Sequence, residues 1–268
     1  LEFRRVLFRS AAFLALERAT SDLKEGLIDV LVTAPINKKN IQSEKFNFPG
    51  HTEYLQDRFS TKGEKGLTLL VSDVLRVAVV TGHVPIQKVA SYMTIDSIVS
   101  KLNDLNHTLK QDFAIQRPRI AVLGLNPHAG DGGVLGDEEE EIIIPAIKKA
   151  TDMGVTCFGP YAADGFFGAG SFKSFDAVLA MYHDQGQVPF KCIAMDSGVN
   201  YTANLPVIRT SPVHGTAYDR VGIGNASEES FRNALYLACD IFNCRKQYEQ
   251  LSKNRLKKQD VEISGHVD

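Results

Sequence analysis

Three histidines are the first residues of this 268-residue sequence whose type and spacing could do chemistry. His83, His128 and His183 each follow the carboxyl end of a predicted β-strand. A lone histidine in such a place is more often a structural hydrogen-bonding residue, but three equivalent placements favour a shared role. Neutral imidazole is the commonest metal ligand, and three imidazoles leave positions open for a substrate. The pattern therefore predicts a catalytic site for a divalent metal, assembled by the fold rather than by a local motif.

Two carboxylates lie near these histidines in the sequence. Asp184 directly follows His183, and Asp164 lies in a predicted loop at 162–167. Carboxylates beside metal-binding histidines serve as ligands or orient the imidazole rings. For Asp164, a turn-forming role is the simpler interpretation. The acidic run 137–141 is interpreted as the solvated first turn of a helix, where the helix dipole favours acids.

Binding of an anion is the second chemistry that the sequence suggests. Lys191, Asn200 and Arg209 are predicted in loops, where together they could bind a phosphate or a carboxylate, although each could equally be solvated surface. The glycine-rich segment 126–136 could bring backbone amides close to an anion or a cofactor, although a tight turn explains its glycines as well. No segment shows GxGxxG between a strand and a helix, so a nicotinamide cofactor would be bound without the common dinucleotide motif.

The elements that must position these residues alternate along the chain. Apolar spacing predicts helices at 11–24, 95–109, 138–152 and 228–242, and strands at 28–33, 67–72, 76–81, 119–125, 156–158 and 177–181. Strands that alternate with helices predict an α/β fold with a largely parallel sheet. Such sheets bind ligands at the carboxyl edge of their strands, which is where the histidines are predicted.

The composition argues against several classes of function. A net charge of -2 and a pI near 6.4 disfavour a nucleic-acid partner. No apolar run approaches the roughly 20 residues that a membrane helix needs. The cysteines form no CxxC pair, which predicts reduced, buried thiols in a cytoplasmic protein. They are Cys157, Cys192, Cys239 and Cys244.

Several motifs in a fixed order give the sequence a resemblance to a known family. They are TAPINK at 33–38, FPGHTE at 48–53, GHVP at 82–85, LNPHAG at 125–130, GP at 159–160, AD at 163–164, YHDQG at 182–186, PFK at 189–191, LPVIRTSP at 205–212 and HGTA at 214–217. Over residues 11–242 they resemble the 4-hydroxythreonine-4-phosphate dehydrogenase family of pyridoxal 5'-phosphate biosynthesis. Independent motifs in the correct order make this resemblance more specific than any one of them.

The resemblance implies an isocitrate/isopropylmalate dehydrogenase-like fold, with two α/β subdomains and the active site in the cleft between them. It assigns the metal to the same three histidines. The substrate-binding residues that it implies are His51, Thr52, Lys191, Asn200 and Arg209. The candidates for catalytic proton transfer are Lys191, Asp184 and Asp164. The cofactor-binding residues that it implies are His214, Gly215, Thr216, Ala217, Asp219 and Asn225.

The implied reaction is the oxidation of 4-hydroxythreonine 4-phosphate with NAD or NADP and a divalent cation (zinc, cobalt, magnesium, manganese or nickel). Decarboxylation to 3-amino-2-oxopropyl phosphate follows. The family also implies homodimers with shared active sites, in which His183 could complete a site in the partner chain. Three alternatives stay open: a dehydrogenase of threonate or erythronate 4-phosphate, a metal-free phosphate acyltransferase of the same fold, or an inactive truncated fragment.

Three regions are expected along the chain. Residues 1–10, in which arginines interrupt apolar residues, are interpreted as foreign to the native protein. Residues 11–252 are expected to form a single catalytic region of two interleaved α/β subdomains, without the family's N-terminal strand and Gly-Asp-Pro-Ala-Gly-type loop. Residues 253–268 are expected to be a polar, frayed tail.

Overall fold

A computed structural model describes residues 2–61 and 63–254, with the side chains of residues 2–9 and 219 left out. Over these residues, eight strands form one sheet. They are β1 (Val30–Val32), β2 (Leu67–Val71), β3 (Arg76–Val79), β4 (Ile120–Leu123), β5 (Cys157–Tyr161), β6 (Ala177–Ala180), β7 (Val199–Ala203) and β8 (Ile208–Pro212). The predicted tail from 255 onward and residue 1 of the predicted foreign segment lie outside the described residues.

The strand order is β1-β8-β7-β2-β3-β6-β4-β5. The pairs β1/β8, β3/β6, β6/β4 and β4/β5 are parallel, whereas β8/β7, β7/β2 and β2/β3 are antiparallel. The predicted α/β class with a largely parallel sheet is therefore confirmed. The parallel strands β3, β6 and β4 are neighbours, so their carboxyl ends share one edge.

Helices pack on both faces of the sheet. They are α1 (Glu2–Lys24), α2 (Lys38–Ile41), α3 (His51–Phe59), α4 (Val89–Tyr92), α5 (Ile95–Asp112), α6 (Ile144–Asp152), α7 (Ala163–Gly168), α8 (His183–Ala194) and α9 (Glu229–Ser252). A π-helical turn at Glu139–Ile143 leads into α6. Within the described ranges, no helix is long and apolar enough to cross a membrane.

The central strands are buried on both faces, which explains their uninterrupted apolar sequences. In β4, Ile120 and Val122 belong to a core shared with α5, α6 and α9. Ala121 and Leu123 belong to a second core shared with α7 and α8. Because successive side chains of a strand point to opposite faces, both cores hold β4 in place. The strand end that leads to His128 is therefore fixed from two sides.

The two ends of helix α5 are fixed by side-chain hydrogen bonds, and those at its carboxyl end hold β7 in position. Thr94 and Ser97 form a capping box at its start, which explains why it begins at Ile95. At its end, the Asp112 carboxylate accepts hydrogen bonds from Tyr201 Oη at 2.6 Å and from Arg245 Nε at 2.7 Å. This buried network joins α5, β7 and α9, and so fixes a strand that contributes to the site below.

Four residues predicted in loops lie in regular elements instead. Asp164 is in the first turn of α7, Lys191 in α8, Asn200 in β7 and Arg209 in β8. Polar residues interrupt the apolar pattern of β7 and β8 because one face of these strands holds polar groups rather than core. In α8, Pro189 lies inside the helix, two residues before Lys191.

The cysteines are all free, but their predicted burial is wrong for two of them. Cys157 is buried, Cys244 is half-buried, and Cys192 and Cys239 are exposed. The exposed pair lies on the outer faces of α8 and α9, which face away from the sheet.

Candidate active site

The three predicted histidines lie beyond one edge of the sheet, at the ends of β3, β6 and β4. His83 follows β3, His183 begins α8 shortly after β6, and His128 lies in the 3-10 turn Pro127–Gly130 after β4. The predicted placement beyond three strand ends is therefore confirmed. A cavity of about 310 Å³ opens at this edge, lined by Gly82, His83, Val84, Ile86, Val89, Tyr182, His183 and Asp184.

His83 and His183 form a pair with ring centroids 5.6 Å apart. His183 Nδ1 lies 2.7 Å from Asp184 Oδ1, so this carboxylate orients the ring in the way that metal-binding imidazoles are oriented. Partial burial, the positive charge of Lys38 and the neighbouring His183 ring lower the pKa of His83. The neutral imidazole that results is the form that binds a metal.

His128 does not join this pair. It is exposed, and its backbone has a left-handed φ of 54°. Within the described ranges, no group of three His, Cys, Asp or Glu side chains is close enough to hold a metal ion. One chain therefore brings only two of the three predicted imidazoles together within the described residues.

Lys38 is a site residue that the pattern analysis missed. Its Nζ lies 3.5 Å from His83 Nε2, and its charge also lowers the pKa of His51. It begins α2 because Asn37 caps that helix, with its Oδ1 accepting a hydrogen bond from Asn40 N at 2.9 Å. Apolar spacing showed only a loop here, but Lys38 is the last residue of the TAPINK motif, so the motif could have identified it.

Arg209 is a buried cation, 5% exposed, in β8. Its Nε and Nη2 donate to Thr33 Oγ1 at 2.9 and 2.7 Å, and its Nη1 donates to Thr202 Oγ1 at 3.2 Å. Nη2 also lies 3.1 Å from His51 Nδ1. Burial lowers the pKa of Arg209 to about 10, so it remains charged at neutral pH. Because its hydrogen-bond partners among the described residues are neutral, this guanidinium suits an anionic ligand.

His51 and Thr52 begin α3 beside this arginine. Thr52 Oγ1 lies 3.2 Å from Thr202 Oγ1, which links the helix start to β7. Asn200 lies two residues before Thr202 and so shares its face of β7. Within the described part of the chain, its buried Oδ1 has no hydrogen-bond partner. The structure thus brings together His51, Thr52, Asn200 and Arg209 of the predicted substrate-binding set.

We expect His51 to make folding stability depend on pH. Burial first, and then the charges of Arg209 and Lys38, lower its pKa from 6.5 to about 3. The unfolded chain binds this proton below pH 6.5 while the folded chain does not, so this contribution to the free energy of unfolding is lost as the pH falls from 6.5 towards 3. Urea unfolding of His51→Asn across this range should show a flatter pH dependence than the unsubstituted chain. A pH dependence of His51→Asn equal to that of the unsubstituted chain would contradict this prediction.

Among the described residues, two further predicted site residues form no hydrogen bond or ion pair with the histidines or with Arg209. Asp164 is exposed in α7, and Lys191 is half-buried in α8. The acidic run 137–141 was predicted to be solvated, which is wrong for Glu139. This residue is 2% exposed and accepts hydrogen bonds from the loop that carries His128.

The predicted cofactor segment 214–225 follows β8. Val213 N donates to Ser230 Oγ at 3.2 Å, and that hydroxyl donates to Gly198 O at 2.6 Å, so the segment begins where β7 begins. His214 Nδ1 lies 2.9 Å from Gly215 O. Ala217 has a left-handed φ of 47°, Gly215 and Asn225 are exposed, and Thr216 is half-buried. The side chain of Asp219 lies outside the described residues.

The fold and the site define an α/β protein with a pair of imidazoles at a sheet edge and a buried guanidinium suited to a small anion. The chain belongs to the family of the pyridoxal phosphate biosynthetic protein PdxA, whose model matches residues 9–238.

Named relatives agree with this family. The chain is 58% identical to a 4-hydroxythreonine-4-phosphate dehydrogenase of Bacteroides thetaiotaomicron, over 96% of this chain and 71% of that protein. It is 45% identical to the enzyme of that name from Prosthecochloris aestuarii, over 86% of this chain and 68% of that protein. A crystal structure of 4-hydroxythreonine-4-phosphate dehydrogenase from Klebsiella pneumoniae superposes with a TM-score of 0.75 at 37% identity, covering 87% of this chain and 70% of that one.

Proposed function

We propose that this protein oxidises 4-hydroxythreonine 4-phosphate with NAD or NADP and a divalent cation, in the formation of pyridoxal 5'-phosphate. Decarboxylation of the product would give 3-amino-2-oxopropyl phosphate. Family membership and the names of the relatives support the reaction class. The observation that carries the substrate assignment is Arg209, a buried guanidinium whose described hydrogen-bond partners are neutral.

In this proposal the phosphate binds at Arg209, with His51 and Thr52 beside it. A planar guanidinium offers two parallel hydrogen bonds to phosphate oxygens, and burial strengthens them because water is excluded. The Oδ1 of Asn200, an acceptor without a described partner, would accept a hydrogen bond from the substrate's ammonium or hydroxyl group. Together these contacts fix the distance from the phosphate to the reacting carbon.

His83 and His183 would hold the divalent cation, with Asp184 orienting the second ring. A cation held there would supply Lewis-acid polarisation of the substrate hydroxyl, and a nicotinamide cofactor would supply the hydride acceptor. Imidazole ligands suit zinc, cobalt, nickel or manganese. Lys38, beside His83, would hold the substrate's carboxylate. Among the predicted proton acceptors, Asp184 lies nearest to this chemistry, since Lys191 and Asp164 make no described contact with it.

We also propose that the protein is a homodimer with shared active sites. The support is that one chain pairs His83 with His183 while His128 stays apart, so a second subunit could supply the missing ligand. Four free cysteines support a reducing, cytoplasmic setting.

The test is NADH formation with 4-hydroxythreonine 4-phosphate, measured before and after removal and return of divalent metal. We expect turnover that a chelator abolishes and added metal restores. Faster turnover of threonate or erythronate 4-phosphate would change the substrate but keep the site. Metal-independent acyl transfer to phosphate would replace the proposal with an acyltransferase. A folded chain that is silent with all of these substrates would be an inactive fragment.

A further inference from the structure

We propose that Glu139 and Gln185 are positioning residues that together fix the strand ends carrying His128 and His183. We call these two side chains the brace. The role in metal binding rests on the proposed function, whereas the contacts of the brace do not. Neither residue is expected to touch the substrate.

The first half of the brace is the buried carboxylate of Glu139. Its Oε1 accepts hydrogen bonds from Leu125 N at 2.7 Å and Asn126 N at 2.8 Å, and its Oε2 accepts one from Asn126 Nδ2 at 2.9 Å. A buried carboxylate is stable only when hydrogen bonds or a cation satisfy it. All three of these donors belong to the segment that leads from β4 to His128. The Glu139 carboxylate therefore holds that segment in place.

The shape of the loop shows how closely it surrounds this carboxylate. A Cβ added at Gly130 would lie 2.7 Å from Glu139 Oε2, and one added at Gly124 would lie 3.0 Å from Oε1. Between these glycines, His128 and Ala129 have left-handed φ values of 54° and 53°. Residues other than glycine occupy that region only where surrounding contacts enforce it. Glu139 supplies such contacts directly before the left-handed residues begin.

The second half of the brace is Gln185, two residues after His183. Its Oε1 accepts a hydrogen bond from Met181 N at 2.7 Å, and its Nε2 donates to Gly124 O at 2.6 Å. Met181 follows β6 and Gly124 follows β4. One amide therefore joins the two strand ends, and Glu139 continues the connection from Leu125 onward. The brace thus sets the position of His128 relative to the His83–His183 pair.

The π-helical turn at Glu139–Ile143 explains how Glu139 reaches this position. A π turn inserts an extra residue into a helix and rotates the side chains at its start, and such turns are frequent at functional sites. Here the turn directs Glu139 inward, whereas its neighbour Glu140 on the same turn is exposed. Glu140 therefore provides a matched control for any substitution of Glu139.

The experiment is a double-mutant cycle of Glu139→Gln with His128→Ala, read out as Co²⁺ affinity in a titration without substrate. Glutamine keeps the shape of the side chain but turns an NH₂ group towards a donor. We expect Glu139→Gln to weaken Co²⁺ binding by about 10- to 100-fold, the range found for residues behind metal ligands. Glu140→Gln should leave it unchanged. If Glu139 acts through His128, the loss should disappear in the His128→Ala background, whereas equal losses in both backgrounds would overturn the proposal.

Amide hydrogen exchange supplies a readout that needs no metal. In Glu139→Gln, the Leu125 and Asn126 amides should exchange faster while those of β4 stay protected. Gln185→Met should do the same for Met181, with Gln187→Met as its control. If His128→Ala leaves Co²⁺ affinity unchanged, the metal assignment of the proposed function is wrong. Selective exchange would then still support the brace, and exchange equal to that of the controls would overturn it.

Discussion

Replacing Arg209 with methionine should lower kcat/KM for the phosphorylated substrate by a factor on the order of a hundred or more. Hydrogen bonds to a charged group contribute about 1.5–3 kcal/mol each, and this guanidinium can offer two to a phosphate. Because Arg209 is 5% exposed, water does not replace the lost donors. Steady-state kinetics of NADH formation measure the loss. The kcat/KM of Arg209→Lys should lie between those of Arg209→Met and the unsubstituted protein, since lysine keeps the charge but not the planar guanidinium.

The stability of the same variant separates a binding defect from unfolding. Without substrate, Arg209 is a desolvated cation hydrogen-bonded to two hydroxyls and an imidazole, with the Glu53 carboxylate near enough to raise its pKa. Removing such a charge should leave the free energy of unfolding unchanged or raise it. Arg76→Met is the matched control, because Arg76 is a half-buried arginine of β3 that packs over the Phe113 ring at 4.8 Å, away from the site. Similar kcat/KM values for the two variants would show that Arg209 does not bind the phosphate.

The sequence correctly predicted the edge of the sheet at which the site lies. A residue that directly follows a parallel strand must lie at the carboxyl edge of the sheet. His83, His128 and His183 follow three buried apolar strands, and neighbouring parallel strands end at one edge. What the sequence did not predict is that His128 stays apart from the pair. That depends on the left-handed turn after β4, whose geometry is set by contacts with Glu139 rather than by local residue preference.

The residues around Arg209 were predicted correctly, but the elements that hold them were not. Asn200 and Arg209 stand in strands with polar side chains, and a polar strand resembles a loop when only apolar spacing is counted. Glu139 was misjudged for a related reason, because an acidic run usually faces water. Both errors occur where a strand or helix turns a polar group inward for a purpose other than packing. Such places are expected to contradict sequence patterns at functional sites.

Replacing His183 with alanine should remove divalent metal binding and lower kcat/KM by at least about a hundredfold. A metal that polarises the hydroxyl group stabilises the transition state by several kcal/mol. Asp184→Asn should lower kcat/KM about tenfold, because it disturbs only the orientation of the His183 ring. His107→Ala, at an exposed position of α5, is the control and should change neither quantity. Full Co²⁺ affinity in His183→Ala would remove this residue from the ligand set.

Mixed dimers extend this prediction to the question of which subunit supplies each imidazole. Chains carrying His183→Ala and chains carrying His128→Ala should each be inactive alone. If one of these residues crosses to the partner's site, each mixed dimer contains one intact site, and random mixing restores about a quarter of full activity. If both serve their own chain, every site in a mixed dimer lacks one ligand and no activity returns. Because the structure pairs His183 with His83 and leaves His128 apart, we expect the first result.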